Sequence, residues 1–289
     1  MSYVLRWHVP DERLDSAIDL LSDLVPWGWE EVIKREETIL CVHVQERKQL
    51  KHLQQRIRRY WPEAELETGK EKDADWQIAW QFFFQPVEVA DTFCILPPWK
   101  RGEDLQNSLI PVVIHPKMAF GTGHHPTTTL CLEALARILS QRKWPAGKDI
   151  LDVGTGSGIL AIAAALLGSR CLGLDIDPVA VDNARENFEA NGVQEEVQLF
   201  CGDVSSLRPG RCYPLVVANI LAGPLIRMAP VLTGFVADQG ILLLSGVLES
   251  QAESVAQAYN VQGLGNPRIA HSGEWVSLLW TEVQSKKKI

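Results

Sequence analysis

The sequence predicts an α/β chain, with a doubly wound parallel sheet preceded by a small α+β unit. Three observations carry that expectation. From residue 116 onward, apolar runs of strand length alternate with segments of helical period, the pattern of βα units stacked into one sheet. A glycine-rich turn, LDVGTGSG (151–158), stands where a buried strand gives way to an apolar helix. Finally, a chain of 289 residues is longer than one hydrophobic core usually serves, which suggests about two domains.

The elements follow in order. YVLRWHV alternates as a strand, and ERLDSAIDLLSDLV repeats its apolar residues at helical spacing. WGWEEVIKRE and TILCVHVQ read as two strands, RKQLKHLQQRIRRYW as a basic helix and AELETG as a closing strand. That order, βαββαβ, is the split arrangement of ferredoxin-like domains, here residues 1–70. KEKDAD is charged and poor in apolar residues, so it marks a boundary. Residues 71–115 then read as a linker region holding a short aromatic helix, WQIAWQFFFQP, and the strand-like runs VEVADTFCIL and VVIHP.

Residues 116–289 form the second domain. TTLCLEALARIL is a helix, DILDVG a strand, GILAIAAALLG a helix and RCLGLDID a strand. The helix DPVAVDNARENFEANG has Asp177 as N-cap, Pro178 in its first turn and Gly192 as its stop. VQLFCGD, LVVANI and GILLLSG are strands, VLESQAESVAQAY a helix, and RIAHSGEWVSLLWTEV a terminal hairpin.

Composition narrows the function classes. With 46% hydrophobic and 22% charged residues, the chain has the make-up of a protein with a sizeable core. A net charge of -8 argues against unspecific nucleic-acid binding and suits a basic partner. MSYVLRWHVPDERLD lacks a positively charged start followed by an apolar stretch, and no apolar run approaches the roughly 20 residues of a membrane span. A cytoplasmic protein with no membrane association is expected. Six cysteines (41, 94, 131, 171, 201 and 212) stand singly and are expected as buried free thiols. His115, His124 and His125 lack a carboxylate or cysteine at ligand spacing, so no metal is expected.

In a doubly wound sheet, ligands gather beyond the carboxyl ends of the strands. Gly154, Gly156 and Gly158 stand there, where backbone can approach a ligand and helix N–H groups are free. A dinucleotide fingerprint needs G-x-G-x-x-G, but here the third glycine comes one residue early and Ile159 takes its place. Asp152 on the strand end would repel a pyrophosphate. A cationic, phosphate-free cofactor such as S-adenosylmethionine suits the loop instead. Asp175, 21 residues after Gly154 at the end of the second strand, is placed to accept from ribose hydroxyls. Asp203 is a candidate acceptor for an adenine amino group or simply a turn aspartate. In VVANILAGP, Asn219 ends a strand beside the reacting centre. Its side-chain oxygen and the Ile220 carbonyl can hold the protons of an amine nucleophile while proximity carries the rate.

AFGTGHHPTTTLCL (119–132), LDVGTGSGILAIAAALLG, GLDIDPVAVDNARENFEANGV and VVANILAGPL together resemble the bacterial PrmA family, as does the aromatic stretch DWQIAWQFFFQPVEVADTFCILPPW. The resemblance covers about 75–289. It implies a Rossmann-like methyltransferase sheet and S-adenosyl-L-methionine as cofactor. It also implies methylation of lysine side chains and the N-terminal α-amine of large-subunit ribosomal protein eleven. On the family's pattern Thr128 contacts the cofactor together with Gly154, Gly156, Asp175 and Asn219, and Asn219 is the catalytic residue. The loop before the first sheet strand closes over the methionine end, bending at Gly121 and Gly123. The family usually has threonine where this chain has His124. The ferredoxin-like domain is expected to grip the ribosomal protein, and the enzyme to act as a monomer.

Two other readings compete. A nucleic-acid amino-group methyltransferase would have prolines and a stacking aromatic after Asn219, where this chain has Ile220, Leu221 and Ala222. A non-catalytic cofactor-binding module that docks on the ribosome would not need the whole set Thr128, Gly154, Asp175 and Asn219.

Overall fold

Alternation on a single strand builds the first sheet. In β1 (Ser2–Pro10), Leu5, Trp7 and Val9 turn to one face and are almost wholly buried. The computed structural model describes residues 2–25, 29–34, 37–44, 47–71, 85–102, 109–115, 123, 125–140, 148–208 and 210–283. They fall into two units, Met1–Gln85 and Pro86–Ile289.

In the first unit β1 is followed by α1 (Leu14–Leu24), β2 (Glu30–Ile33), β3 (Glu37–Val44), α2 (Arg47–Tyr60) and β4 (Glu65–Glu71). The sheet runs β2-β3-β1-β4, antiparallel throughout. This is the expected βαββαβ order. Leu40 and Val42 of β3, Leu21 of α1, and Leu50, Leu53 and Ile57 of α2 close the core. Trp7 meets Trp61 edge to face at 5.1 Å.

The second unit opens with β5 (Val87–Val89), β6 (Phe93–Leu96) and β7 (Ile110–Val113). It continues as α3 (Pro126–Leu139), β8 (Asp149–Val153), α4 (Ile159–Leu166), β9 (Arg170–Asp175), α5 (Pro178–Asn191) and β10 (Val197–Cys201). Then come β11 (Tyr213–Asn219), α6 (Ala222–Leu232), β12 (Val236–Leu248), α7 (Ala252–Val261), β13 (Arg268–Ser272) and β14 (Trp275–Val283). The main sheet has the order β10-β9-β8-β11-β12-β14-β13. Its first five strands are parallel, and the terminal hairpin adds the antiparallel end. Successive residues of β11 feed two cores. Leu215 and Val217 pack with α3, α4 and α5, while Val216 and Ala218 pack with α6 and α7. Strand order reverses between β8 and β11, so ligand chemistry is expected at their carboxyl ends.

The segment expected as a linker is divided. Residues 72–84, with most of the aromatic run, lie outside the described residues. Residues 87–113 supply a three-stranded sheet within the second unit. VEVADTFCIL is a hairpin rather than one strand: Ala90 and Asp91 take φ of 57° and 46°, and Thr92 N–H donates to Val89 O at 3.1 Å. Two asparagines of α5 tie this region down. Asn191 exchanges both hydrogen bonds with the Val113 backbone (2.8 and 2.7 Å) and also donates to Asn187 O at 2.7 Å. Buried Asn187 accepts from His115 N–H at 2.8 Å and donates to Ser157 O at 2.8 Å, joining the glycine loop to the chain before α3.

Three further expectations need correction. β12 runs through Leu248, so Val247 and Leu248 belong to a strand and α7 starts only at Ala252. Val247 pairs with Val276 and is fully buried, and the sheet contact wins over helical period. α6 was not anticipated as a helix, because Gly223, Pro224 and Pro230 punctuate it. It forms because Ala222, Leu225, Ala229 and Leu232 bury one stripe. Of the six free thiols, Cys41, Cys94, Cys131 and Cys171 are buried, but Cys201, at the end of edge strand β10, and Cys212, just before β11, are exposed.

Candidate active site

The turn after β8 is shaped by backbone that only glycine adopts cheaply. Gly154, Gly156 and Gly158 have φ of 74°, 56° and 82°. A Cβ on Gly154 would lie 2.4 Å from Ile220 Cγ2, and one on Gly158 would lie 2.5 Å from the Phe188 ring. The first glycine therefore lets the loop pass beneath the residue that follows Asn219. Gly154 and Thr155 N–H both donate to Leu174 O, at 2.8 and 2.9 Å, fixing the turn against the end of β9.

Asp175 ends β9 as expected. Its Oδ2 accepts from Gly156 N–H at 2.9 Å and its Oδ1 from Asp177 N–H at 3.0 Å. Each oxygen thus spends one lone pair on the backbone and keeps one for a ligand hydroxyl. Asp177 caps α5, its carboxylate accepting from Val179 N–H at 2.9 Å. Asp203 is exposed and accepts from Ser205 N–H at 2.8 Å, the turn role weighed above. The Ser205 bonds hold its carboxyl below the ordinary range.

The loop before α3 meets the site from the other side. His125 caps α3, with its Nδ1 accepting from Thr127 N–H at 3.3 Å and its ring edge-on to Trp275 at 4.8 Å. Burial lowers the His125 pKa, which keeps the ring neutral and able to accept. Thr128 is fully buried in the first turn, and its Oγ1 accepts from Asn219 Nδ2 at 3.4 Å. Two expected site residues 91 positions apart in sequence are thereby brought together. Gly123 has φ of 88°, and a Cβ there would meet Ile95 at 2.6 Å, so its backbone lies close against β6. Gly121 and His124 lie outside the described residues.

Among the side-chain oxygens buried with no partner in the described residues, Asp152 Oδ1 and Asn219 Oδ1 stand at the carboxyl ends of β8 and β11, and Asn183 Oδ1 of α5 is a third. Burying such groups unpaired costs free energy, which makes the two at the strand ends candidate partners for a ligand. The other oxygen of Asp152 accepts from Thr155 Oγ1 at 2.7 Å. Complete burial pushes the Asp152 carboxyl up to about 7, against the Thr155 bond and with a smaller push from the Asp175 charge. Behind Asn219, β12 carries a bulge between Leu244 and Val247. Ser245 O accepts from Ile220 N–H at 3.1 Å, and the buried Ser245 hydroxyl lies 3.3 Å from Thr127 O and 3.1 Å from Val276 O. Gly246, φ 82°, is so close that a Cβ would stand 2.4 Å from Ile220 O. Sequence reasoning missed the Ser245–Gly246 pair, whose only signal was a glycine at the end of the fifth strand.

A glycine turn after the first sheet strand, a carboxylate after the second and an asparagine after the fourth, around this strand order, define an S-adenosylmethionine-dependent methyltransferase. The family model "Ribosomal protein L11 methyltransferase (PrmA)" matches residues 23–282. The chain belongs to that family. Relatives carrying the same description, from Pseudomonas aeruginosa and Vibrio campbellii, are each 42% identical over 207 and 206 residues. These alignments cover 71% of this chain and 67% and 66% of the relatives. A solved structure, a ribosomal protein L11 methylase from Lactobacillus delbrueckii subsp. bulgaricus, superposes with a TM-score of 0.62 at 27% identity. It matches 69% of this chain and 99% of its own.

The donor set suits S-adenosylmethionine. A buried carboxylate oxygen without a partner invites a cation, Asp175 has lone pairs left for a diol, and no cluster of phosphate-binding cations stands at the turn among the described residues. Replacing Asp175 with alanine is expected to weaken S-adenosylmethionine binding by more than about tenfold, since charge-assisted bonds contribute about 1.5–3 kcal/mol. Titration calorimetry reads this directly, and an unchanged affinity would remove Asp175 from the cofactor site.

Proposed function

We propose that this protein methyltransferase transfers methyl groups to ribosomal protein L11, at lysine side chains and the N-terminal α-amine. The observation that carries the reading is the buried, unpartnered Asn219 Oδ1, held beside Thr128 at the carboxyl end of β11. When bound, S-adenosylmethionine supplies a methyl group on a positively charged sulfur. Asn219 Oδ1 and Ile220 O accept hydrogen bonds from the two N–H groups of a neutral primary amine, aiming its lone pair at that methyl. Thr128 Oγ1 takes the bond from Asn219 Nδ2, which leaves Oδ1 for the amine. Gly154, Gly156 and Asp175 hold the nucleoside end. Neither Asn219 nor Thr128 is a base, so orientation supplies the rate and the amine must arrive deprotonated. That favours an α-amine, with pKa near 8, over lysine near 10.4 at neutral pH.

Residues 1–70 serve as the substrate-recognition domain and the unit from residue 86 onward as the methyltransferase domain, acting as a monomer in the cytoplasm. An acidic enzyme, net charge -8, suits a basic ribosomal protein. No helix among the described residues is long and apolar enough to cross a membrane.

Incubating unmethylated ribosomal protein L11 with the enzyme and S-adenosylmethionine, followed by intact-mass spectrometry, tests the proposal. Successive whole-methyl increments on lysines and the N-terminus are expected. No increment, in a preparation shown to bind cofactor, refutes the substrate. Deleting residues 1–70 is expected to leave cofactor affinity unchanged while methylation of the intact protein falls by about a hundredfold or more, as remote binding energy is lost. Normal efficiency in the truncated enzyme would refute the recognition role.

A further inference from the structure

Helix α2 (Arg47–Tyr60) carries six cations and no carboxylate, in a protein whose net charge is negative. Leu50, Leu53 and Ile57 form its buried stripe. At 100° per residue the cations occupy the opposite half of the helix in two rows. Arg47, Lys51 and Arg58 fall within about 40° of one another. Lys48, Arg56 and Arg59 lie further round, centred roughly 110° from the first row. All six are exposed, and among the described residues none forms an ion pair or hydrogen bond. Arg47–Lys51, Lys48–Lys51 and Arg56–Arg59 stand at like-charge spacings of three or four residues, which destabilise a helix. A face kept solely for solubility would mix signs.

We propose that this face of α2 docks on the phosphate backbone of duplex RNA, a second recognition surface beyond the protein-substrate site. The two rows extend about 18 Å along the helix and flank its convex crest, where Gln55 offers a neutral polar side chain. A rod with cations on both flanks matches the wide, shallow minor groove of an A-form duplex, which is bordered by phosphates and lined by 2′-hydroxyls. A basic ribosomal protein would be repelled here. A membrane surface is disfavoured because the apolar stripe of α2 is already buried in its own domain.

The test uses the full chain and a fluorescein-labelled RNA hairpin of about 20 base pairs, read by fluorescence anisotropy. Binding is expected in low salt and should weaken by about tenfold or more between roughly 50 and 200 mM salt, as counterions are released. The paired substitutions Lys51→Glu/Arg58→Glu and Lys48→Glu/Arg59→Glu should each weaken binding by about tenfold or more, while S-adenosylmethionine affinity, read by calorimetry, stays unchanged. The milder Lys51→Gln/Arg58→Gln pair should show the same trend where reversal impairs folding. The proposal is overturned if the parent chain gives no salt-sensitive anisotropy change or if the substitutions leave RNA binding intact. It is equally overturned if they reduce methylation of the free protein, which makes the face a protein dock. Stronger, reversal-sensitive binding to phosphatidylserine vesicles would assign the face to a membrane. RNA binding is read without methyl transfer, so it stands or falls separately from the choice of amine.

Discussion

Gly246→Ala is expected to reduce the turnover number by about a hundredfold and the melting temperature by several degrees. The new Cβ would stand 2.4 Å from Ile220 O, 2.7 Å from its carbonyl carbon and 2.9 Å from its nitrogen. All three are backbone atoms, so no side chain can swing aside. The φ of 82° adds about 1–2 kcal/mol of strain for any residue with a Cβ. Relief comes only by moving Ile220, which carries one proposed acceptor, follows the other and lies over Gly154. A misplacement of roughly 1 Å at reacting groups costs about a hundredfold in rate. Gly234→Ala is the matched control, because nothing lies within 4 Å of its added Cβ and its φ is not left-handed. Steady-state kinetics and thermal melts on both variants decide the matter. A Gly246→Ala enzyme within twofold of the parent turnover number would show that the Ile220 carbonyl does not position the amine.

The second large effect concerns Asp152. Its carboxyl titrates near 7 in the folded protein and near 3.8 when unfolded. Between those values the folded state holds a proton that the unfolded chain releases. Stability from this group is therefore greatest below about pH 4, falls as pH rises toward about 7, and is flat above that. Asp152→Asn removes the titration while keeping an oxygen for Thr155 Oγ1 to donate to. The ligand-free variant is expected to melt higher than the parent at pH 8, with the gap closing toward pH 5. Its S-adenosylmethionine affinity should drop by about ten- to a hundredfold, the loss of one charge-assisted bond. Parent affinity should also rise between pH 6 and pH 8 as the carboxylate ionises. Parallel melting curves across that range would place the titration elsewhere, and an undiminished affinity would mean that Asp152 meets no cation.

The parts of this architecture with strong local periodicity were legible in the sequence. Runs such as DILDV and LVVAN declare buried strands, and Asp177-Pro178 through Gly192 marks a helix at both ends. α6 escaped notice because Gly223, Pro224 and Pro230 are breakers taken singly. Only the packing of Leu225 and Leu232 against the sheet outweighs them. β12 was read short because VLESQAESV has helical period, whereas pairing with Val276 and Trp275 holds Val247 and Leu248 in the sheet. In the site, Gly154, Gly156, Asp175 and Asn219 stand at strand ends that the βα rhythm locates. The Thr128–Asn219 contact could not be derived that way, since no local pattern spans 91 residues. Family resemblance supplied Thr128. The Ser245–Gly246 bulge was invisible for a related reason: its purpose lies in a neighbouring strand.

The asparagine stitching at the end of α5 has a bearing on chemical ageing. Asn191 precedes Gly192, the dipeptide in which a side-chain amide is most readily attacked by the following backbone nitrogen to form succinimide and then aspartate or isoaspartate. In the folded protein its amide nitrogen is committed to Val113 O and Asn187 O, and its oxygen to Val113 N–H. Gly192 N–H is itself bonded to Glu189 O at 3.2 Å. Those bonds hold the reacting atoms apart, so deamidation should proceed only while the chain is open. The conversion would also turn a donor facing two carbonyls into an acceptor, blocking a return to the native packing of β7. Peptide mapping of samples held for weeks at mildly alkaline pH, folded or in urea, should find isoaspartate at 191 in the urea sample alone. Residue 191 would then record how long each molecule has spent unfolded.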